Sequence, residues 1–263
     1  MLPLTLIEII LPVLALIVVI LVARSMLRLS SDDPRIWESE IRRFEAEDRR
    51  DGRPSGGVVF TGSSSIRYWT TLAADMAPTP ALNRGFGGSQ VHQVAYYADR
   101  VVIPYQPKVV VFYAGENDLA GVFFSKKKTP AEVCAAYQQF CEKVHAALPQ
   151  TPIYFISIKP PKARLEYWPA MQAANQLIRD YSAGDARRQY LDIVPAMLDA
   201  HGQPRRDVFR WDGIHLNARG YAIWTTVIRP IVAAAYAAAN GAAPGQPSPS
   251  RQPAEPASLA GQE

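Results

Sequence analysis

Cysteine and histidine are scarce in this chain of 263 residues, which contains two cysteines and four histidines. Cys134 and Cys141 lie in a segment with helical periodicity, and a helix would hold their Cα atoms about 10 Å apart. A disulfide reaches roughly 7 Å at most, so the sequence predicts two buried thiols and no bridge. No Cys/His spacing is typical of a zinc site. Neither a metal nor an organic cofactor is expected.

A strong excess of one charge is also lacking, since the formal net charge is +4 and the pI is near 9.1. No arginine-rich stripe is interleaved with aromatic residues, which argues against nucleic-acid binding. The one tight basic run, residues 126–128, is more typical of a solvated loop than of a patch for an anionic ligand. The hydrophobic content of 48% and the charged content of 20% indicate a globular protein with room for one catalytic domain.

Lysine and arginine are absent before residue 24, and residues 2–23 are almost wholly apolar. As a helix this run would be about 33 Å long, enough to cross a hydrocarbon core of roughly 30 Å. The basic start and the cleavage site of a signal peptide are not clear, so we predict an uncleaved single-pass membrane anchor. Arg24, Arg28 and Arg35 follow the run. The positive-inside rule therefore favours a cytoplasmic catalytic domain by a thin margin, and the side stays open.

Residues 24–54 are predicted to form a juxtamembrane amphipathic helix and a linker. Over residues 34–50, apolar side chains such as Trp37, Ile41 and Phe44 alternate with charged ones at helical spacing. We expect this helix to pack against the domain, because its mixed polar face suits a lipid surface less well. Residues 240–263 are rich in Pro and Ala and are predicted to be a disordered tail.

Strand and helix patterns alternate over the predicted catalytic domain, residues 55–239. The strands are apolar almost throughout, which is typical of a parallel sheet covered on both faces. The order predicts a doubly wound α/β domain of three layers, α/β/α, with a parallel sheet of about five strands. The predicted strands are residues 58–61, 81–83, 108–113, 153–158 and 190–194, and the predicted helices are residues 89–102, 130–148, 168–182 and 218–238.

Three polar clusters directly follow predicted strands, namely residues 62–65, 83–88 and 115–118. A fourth cluster, residues 212–215, precedes the last helix. Ligands of open parallel sheets bind beyond the carboxyl ends of the strands. We therefore expect the four clusters to meet at one rim of the sheet.

The clusters contain the parts of a serine-dependent ester-cleaving site. A serine at a helix start is near free N–H groups, although an N-cap serine is common without any catalytic role. Asp212 and His215, at i and i+3, can pair so that the second ring nitrogen takes a serine proton; such a pair alone is usually a surface turn. Gly88 N–H and the Asn117 amide are candidate oxyanion donors, and Asp118 is expected to brace its loop.

With these residues, the chain resembles the SGNH (GDSL-type) hydrolase superfamily over residues 58–232. The resemblance implies a flavodoxin-like fold, Ser64 as nucleophile, and Asp212 and His215 as its triad partners. It also implies an oxyanion hole formed by Ser64, Gly88 and Asn117. Ser63 stands where the family often has aspartate, which puts the bracing of this loop in doubt. An α/β-hydrolase elbow would need glycine at the position of Ile66.

Three functions fit these residues. The first is hydrolysis of carboxylic esters with short acyl groups, on a small-molecule, carbohydrate or lipid substrate. The second is acyl transfer to, or deacetylation of, a carbohydrate or lipid acceptor, and the third is a non-catalytic ligand-binding module. Aromatic residues on the expected rim could form an acyl wall, although core packing explains each of them nearly as well: Phe123, Phe124, Tyr167, Trp168 and Trp211.

Overall fold

A computed structural model describes residues 4–122 and 125–241 of the chain. Five parallel strands form one sheet in the order β2-β1-β3-β4-β5. This order confirms the predicted doubly wound α/β fold. The strands are β1 (Val58–Gly62), β2 (Ala81–Gly85), β3 (Val109–Tyr113), β4 (Ile153–Ile156) and β5 (Arg188–Leu191).

Helices cover both faces of the sheet. The helices are α1 (Leu4–Leu29), α2 (Glu38–Asp51), α3 (Ser64–Arg67), α4 (Leu72–Asp75), α5 (Val91–Tyr96), α6 (Ala98–Val101), α7 (Glu116–Ala120), α8 (Pro130–Ala147), α9 (Trp168–Ala183) and α10 (Ala218–Ala239). Side chains of α2, α5, α6, α8 and α9 share one apolar cluster, and those of α3, α4 and α10 share another. Because β3 is buried on both faces, its alternate residues belong to different clusters. Val110 and Phe112 pack in the first cluster, and Val109 and Val111 pack in the second.

The amphipathic segment before β1 packs against the domain, as predicted. It begins as a 3-10 turn, Pro34–Trp37, and continues as α2. Trp37, Ile41 and Phe44 are buried in the same cluster as α5 and α8. At the end of α2 the buried Asp48 carboxylate accepts hydrogen bonds from Arg84 at 2.6 Å and from the Tyr105 hydroxyl at 2.7 Å. The segment is thus part of the domain core.

Some predicted elements end earlier than expected or are interrupted. The predicted strand to residue 194 ends at Leu191, because Ile193 N–H donates to Ser157 Oγ and no longer to a strand. Similarly, β4 ends at Ile156, and Ile158 N–H donates to the Asn175 side chain. The predicted helix over residues 89–102 consists of the two short helices α5 and α6.

Both cysteines are buried and free, which confirms the prediction of two thiols.

At the N-terminus α1 is a helix of 26 residues, and its residues 10–24 are exposed. Among the described residues, the apolar stretch Ile10–Arg24 is shorter than a membrane span, and α10 is the helix that is long and apolar enough for one. However, α10 packs Tyr221, Trp224 and Ile228 into the domain core. The predicted tail after residue 241 lies outside the described residues.

Candidate active site

The site begins at a sharp turn between β1 and α3. Gly62 has φ +138°, and a Cβ there would overlap the carbonyl oxygen of Tyr113 on the neighbouring strand β3. Only glycine fits this position. The buried Ser63 donates its backbone N–H to the same oxygen at 2.9 Å, so the loop is held although the aspartate of related sequences is missing. Ser64 then begins α3, where the first N–H groups have no partner inside the helix.

The half-buried Ser64 side chain contacts His215, which lies 151 positions later in the chain. His215 Nε2 is 2.9 Å from Ser64 Oγ, and His215 Nδ1 is 2.6 Å from Asp212 Oδ2. Two linked hydrogen bonds thus join the three side chains. An imidazole held in this way can take a proton from the hydroxyl and return it later.

Asp212 is fixed in the loop that carries His215. Its Oδ1 accepts hydrogen bonds from the backbone N–H groups of Ile214 and His215, both at 2.9 Å. Burial acts to raise the pKa of Asp212, but the hydrogen bonds from His215 and Ile214 outweigh it and lower the pKa below its ordinary value. The edge of Tyr68 packs against the imidazole with the ring centroids 4.9 Å apart. The carboxylate is therefore ionised near neutral pH and the ring has one orientation.

The two predicted oxyanion donors lie next to each other. A Cβ on Gly88 would be 3.8 Å from Asn117 Nδ2, and Asn117 Nδ2 itself donates to Ser89 O at 3.3 Å. Gly87 has φ +39°, and a Cβ there would overlap the ring of Trp37. The backbone of this turn thus approaches both Asn117 on one side and Trp37 on the other.

Two further polar side chains hold the loops of the site. Asn83 in the middle of β2 donates to Ile66 O at 2.6 Å, which ties α3 to the sheet. The fully buried Asp118 carboxylate accepts from Val91 N–H at 3.0 Å. Asp118 therefore braces its loop against the start of α5, as predicted. Burial raises the pKa of Asp118 to about 7.

The sequence patterns assigned no role to three charged residues near the site. Glu116 immediately precedes Asn117, Lys159 follows β4, and Arg164 lies in the 3-10 turn Lys162–Tyr167. Lys159 and Glu116 are buried and form an ion pair. The sequence signal for Lys159 is a lysine directly after an apolar strand, a place where a solvated residue has little room.

The sequence matches the GDSL-like Lipase/Acylhydrolase family over residues 51–223, which is more than half of the chain. The chain belongs to this family. It is therefore a hydrolase that acts on esters, and the resemblance to the SGNH superfamily is confirmed.

Several known proteins are similar to this chain over most of its length. The platelet-activating factor acetylhydrolase IB subunit alpha1 of Pongo abelii is 28% identical over 198 residues, 71% of this chain and 78% of the relative. A GDSL-like lipase from Bacteroides thetaiotaomicron has a TM-score of 0.61 at 22% identity, with 73% of this chain and 96% of that chain covered. A mutant of an acetyl-xylooligosaccharide esterase from Geobacillus has a TM-score of 0.56 at 14% identity, with 68% and 95% covered. The two structures share the fold.

The aromatic residues predicted to form an acyl wall are spread over different environments of this GDSL-like hydrolase. Trp211 is 98% exposed, and Tyr167 and Trp168 are half-buried and pack against the core cluster of α8 and α9. Phe123 and Phe124 lie outside the described residues. Trp211 is thus close to His215 in the sequence, but its ring lies in solvent.

A cavity of about 890 Å³ lies beside the turn Lys162–Tyr167 and is lined by Lys162, Leu165 and residues 198–200 and 203–207. Ser64, Asp212 and His215 do not line it. Among the described residues, no group of three His, Cys, Asp or Glu side chains is arranged to hold a metal ion.

Proposed function

We propose that this chain is a membrane-anchored serine esterase that hydrolyses carboxylic esters with short acyl groups. The observation that carries the proposal is the position of His215, whose two ring nitrogens face Ser64 Oγ at 2.9 Å and Asp212 Oδ2 at 2.6 Å. A serine hydroxyl is a weak nucleophile until an adjacent base takes its proton. Membership of an ester-hydrolase family supports the same chemistry.

In the proposed reaction, Ser64 Oγ attacks the acyl carbon while its proton moves to His215 Nε2. Asp212 keeps the proton of the neutral ring on Nδ1 and stabilises the imidazolium that forms. The imidazolium then gives its proton to the departing alcohol, which leaves an acyl group on Ser64. A water molecule, deprotonated by His215, attacks this acyl group and releases the acid and the free hydroxyl.

The oxyanion of each tetrahedral intermediate is proposed to accept hydrogen bonds from three donors. They are the backbone N–H groups of Ser64 and Gly88 and the side-chain Nδ2 of Asn117. The closeness of Gly88 to Asn117 Nδ2 supports this assignment. Such donors contribute to catalysis because they are oriented before the charge develops.

A serine-reactive fluorophosphonate tests the nucleophile directly. We expect the native chain to be labelled at Ser64, and Ser64→Ala to lose both the label and hydrolysis of p-nitrophenyl acetate while its circular dichroism stays unchanged. The matched control is Ser63→Ala. It removes a neighbouring serine, leaves the hydrogen bonds of Ser64 and His215 in place, and should still be labelled. Full activity of Ser64→Ala would contradict the proposal.

The short acyl preference is supported by the names of two compared proteins, an acetylhydrolase and an acetyl-xylooligosaccharide esterase. It is also consistent with a serine that lies outside the 890 Å³ cavity. A small acyl group on an accessible carrier, such as a carbohydrate, suits an open site. In a series of p-nitrophenyl esters from C2 to C12, we expect kcat/KM to be highest at the short end, and a maximum above C8 would overturn this preference.

The anchor is supported by α1, whose 26 residues correspond to about 39 Å at 1.5 Å per residue. Its apolar side chains from Ile10 to Val22 are exposed, as a lipid-facing surface would be. We expect the full chain to stay in the membrane fraction after an alkaline wash, whereas a variant that lacks residues 1–30 is released. A protease-protection assay on intact cells would test the cytoplasmic side that the arginines after the run favour.

A further inference from the structure

Four polar side chains form a buried cluster behind the proposed oxyanion hole. The Glu116 carboxylate accepts hydrogen bonds from Lys159, from the Tyr113 hydroxyl at 3.2 Å and from Arg164 Nη1 at 3.3 Å. The side chains of Lys159, Glu116 and Arg164 are 0%, 5% and 18% exposed. Burial lowers the pKa of Lys159, and pairing with Glu116 opposes that effect. A buried charge is tolerated when it is paired in this way.

Arg164 extends this cluster to the oxyanion hole. The same Nη1 that faces Glu116 donates to Asn117 Oδ1 at 3.1 Å. A guanidinium is charged at every working pH and has no acceptor atom, so the oxygen of the Asn117 amide must face it. The Nδ2 end then points the other way, where it reaches Ser89 O and lies near Gly88. The partners at both ends of the amide require the same orientation.

A charged donor on one end of an amide also strengthens the other end as a donor. Hydrogen bonds to ionised groups are stronger than neutral ones, and linked hydrogen bonds polarise each other in a medium of low dielectric. Lys159 and Arg164 bring two positive charges against the one negative charge of Glu116. Arg164 therefore places a positive charge at the oxygen end of the Asn117 amide, the end away from Ser89.

The turn that contains Arg164 also contacts the loop of the proposed base. Ala163 N–H donates to Gly213 O at 3.0 Å, between Asp212 and His215. Arg164 has φ −136° and ψ 30°, which departs from the helical values of its turn, and its side chain contacts Glu116 and Asn117 of α7. One short segment thus contacts both the loop that carries the proposed base and the side chain of the proposed oxyanion donor.

We propose that Arg164, held by Glu116, is a positioning residue that orients and polarises the Asn117 amide for the transition state. This inference rests on the proposed function, in which Asn117 binds the oxyanion. Arg164 itself does not touch the substrate. Its effect on turnover therefore passes through Asn117.

A double-mutant cycle with p-nitrophenyl acetate and the full chain tests this dependence. We expect Arg164→Gln to lower kcat by about 10- to 100-fold with KM changed by less than about twofold, because the interaction matters in the transition state. In an Asn117→Ala background, the same substitution should lower kcat by less than about threefold. Arg164→Lys, which keeps the charge, should recover part of the loss.

Arg187→Gln is the matched control, since Arg187 pairs with Asp185 just before β5 begins, away from the carboxyl ends of the strands where the site lies. Its kcat should equal that of the native chain. An equal loss from Arg164→Gln in both backgrounds, or a loss confined to KM, would overturn the inference, as would native kcat in Arg164→Gln. If circular dichroism shows that Arg164→Gln does not fold, Arg164→Lys is carried through the same cycle and must show the same dependence on Asn117.

Fluorophosphonate labelling separates the two hypotheses. An unlabelled Ser64 in the native chain refutes the proposed function, whereas a labelled Ser64 with independent losses refutes only the role of Arg164.

Discussion

Asp212 holds His215 by its backbone and by its ring at the same time. One carboxylate oxygen accepts the His215 backbone N–H at 2.9 Å, and the other is 2.6 Å from Nδ1. The orientation of the loop and that of the imidazole therefore both depend on the Asp212 side chain. This double contact makes the carboxylate the natural first target for mutation.

Asp212→Asn should keep the loop but lose most of the turnover. The amide oxygen can still accept a backbone N–H, whereas the NH₂ end favours the wrong ring tautomer at His215. We expect kcat to fall by about 10⁴-fold, the scale known for such a change in a serine protease triad. Steady-state kinetics with p-nitrophenyl acetate measure the loss, and activity within tenfold of the native chain would show that Asp212 does not orient the base.

Asn117→Ala should remove one proposed oxyanion donor and leave the fold intact. Loss of one such donor costs about 10²–10³ in kcat. The KM should change little, because the ground-state carbonyl accepts a weaker hydrogen bond than the oxyanion does. A loss that appears only in KM would mean that Asn117 binds substrate and does not stabilise the transition state.

Trp37→Ala should destabilise the domain although Trp37 lies before the first strand. The ring is 4% exposed, packs against Phe86, and donates from Nε1 to Gln93 at 2.8 Å. We expect a loss of about 3–5 kcal/mol in the free energy of unfolding, the usual cost of removing a buried large aromatic ring. Urea denaturation measures it.

Trp211→Ala is the control for that measurement, because its ring is 98% exposed. Its free energy of unfolding should stay within about 0.5 kcal/mol of the native value. Equal stability of the Trp37 and Trp211 variants would contradict the assignment of Trp37 to the core.

The stability of the domain should fall between about pH 4 and pH 7 through Asp118. Its pKa is raised to about 7 by burial, from an ordinary value of 3.8. In this window the folded state keeps a proton that the unfolded state has released, so the free energy of unfolding decreases as the pH rises. A raised acid pKa thus stabilises the fold at low pH and loses that effect as the pH passes 7.

Asp118→Asn does not titrate, and its stability relative to the native chain should rise with pH over the same window. The full difference is about 4 kcal/mol for a shift of this size. Urea denaturation at pH 4, 5.5, 7 and 8 measures it. A constant difference at all four values would mean that Asp118 titrates in the same way in the folded and unfolded chains.

The sheet and the meeting of the four clusters could be predicted because each depends on local patterns. Apolar strands and turn residues are visible in the sequence, and the parallel topology places all strand ends at one rim. Ser64 follows from that rule, whereas His215, 151 positions later, was expected at the same rim from its place just before the last helix. By contrast, the end of β5 depends on a side chain of another loop, Ser157, and no periodic pattern reports it.

The charged cluster could not be predicted for the same physical reason. Lys159 and Arg164 lie 43 and 48 positions from Glu116, and each is a single charged residue in an irregular segment. A lone lysine or arginine in a loop is usually solvated. Its burial becomes visible only when the strand ends are brought together and leave one carboxylate between two cations.

The ion pair between Asp48 and Arg84 has a practical consequence for truncation. Asp48 belongs to α2, before the first strand, yet it neutralises an arginine that is buried in β2. A shortened protein that starts near residue 31 keeps this partner and should be purified from the aqueous phase without detergent. One that starts at residue 55 leaves Arg84 uncompensated inside the protein, and it should be recovered as inclusion bodies.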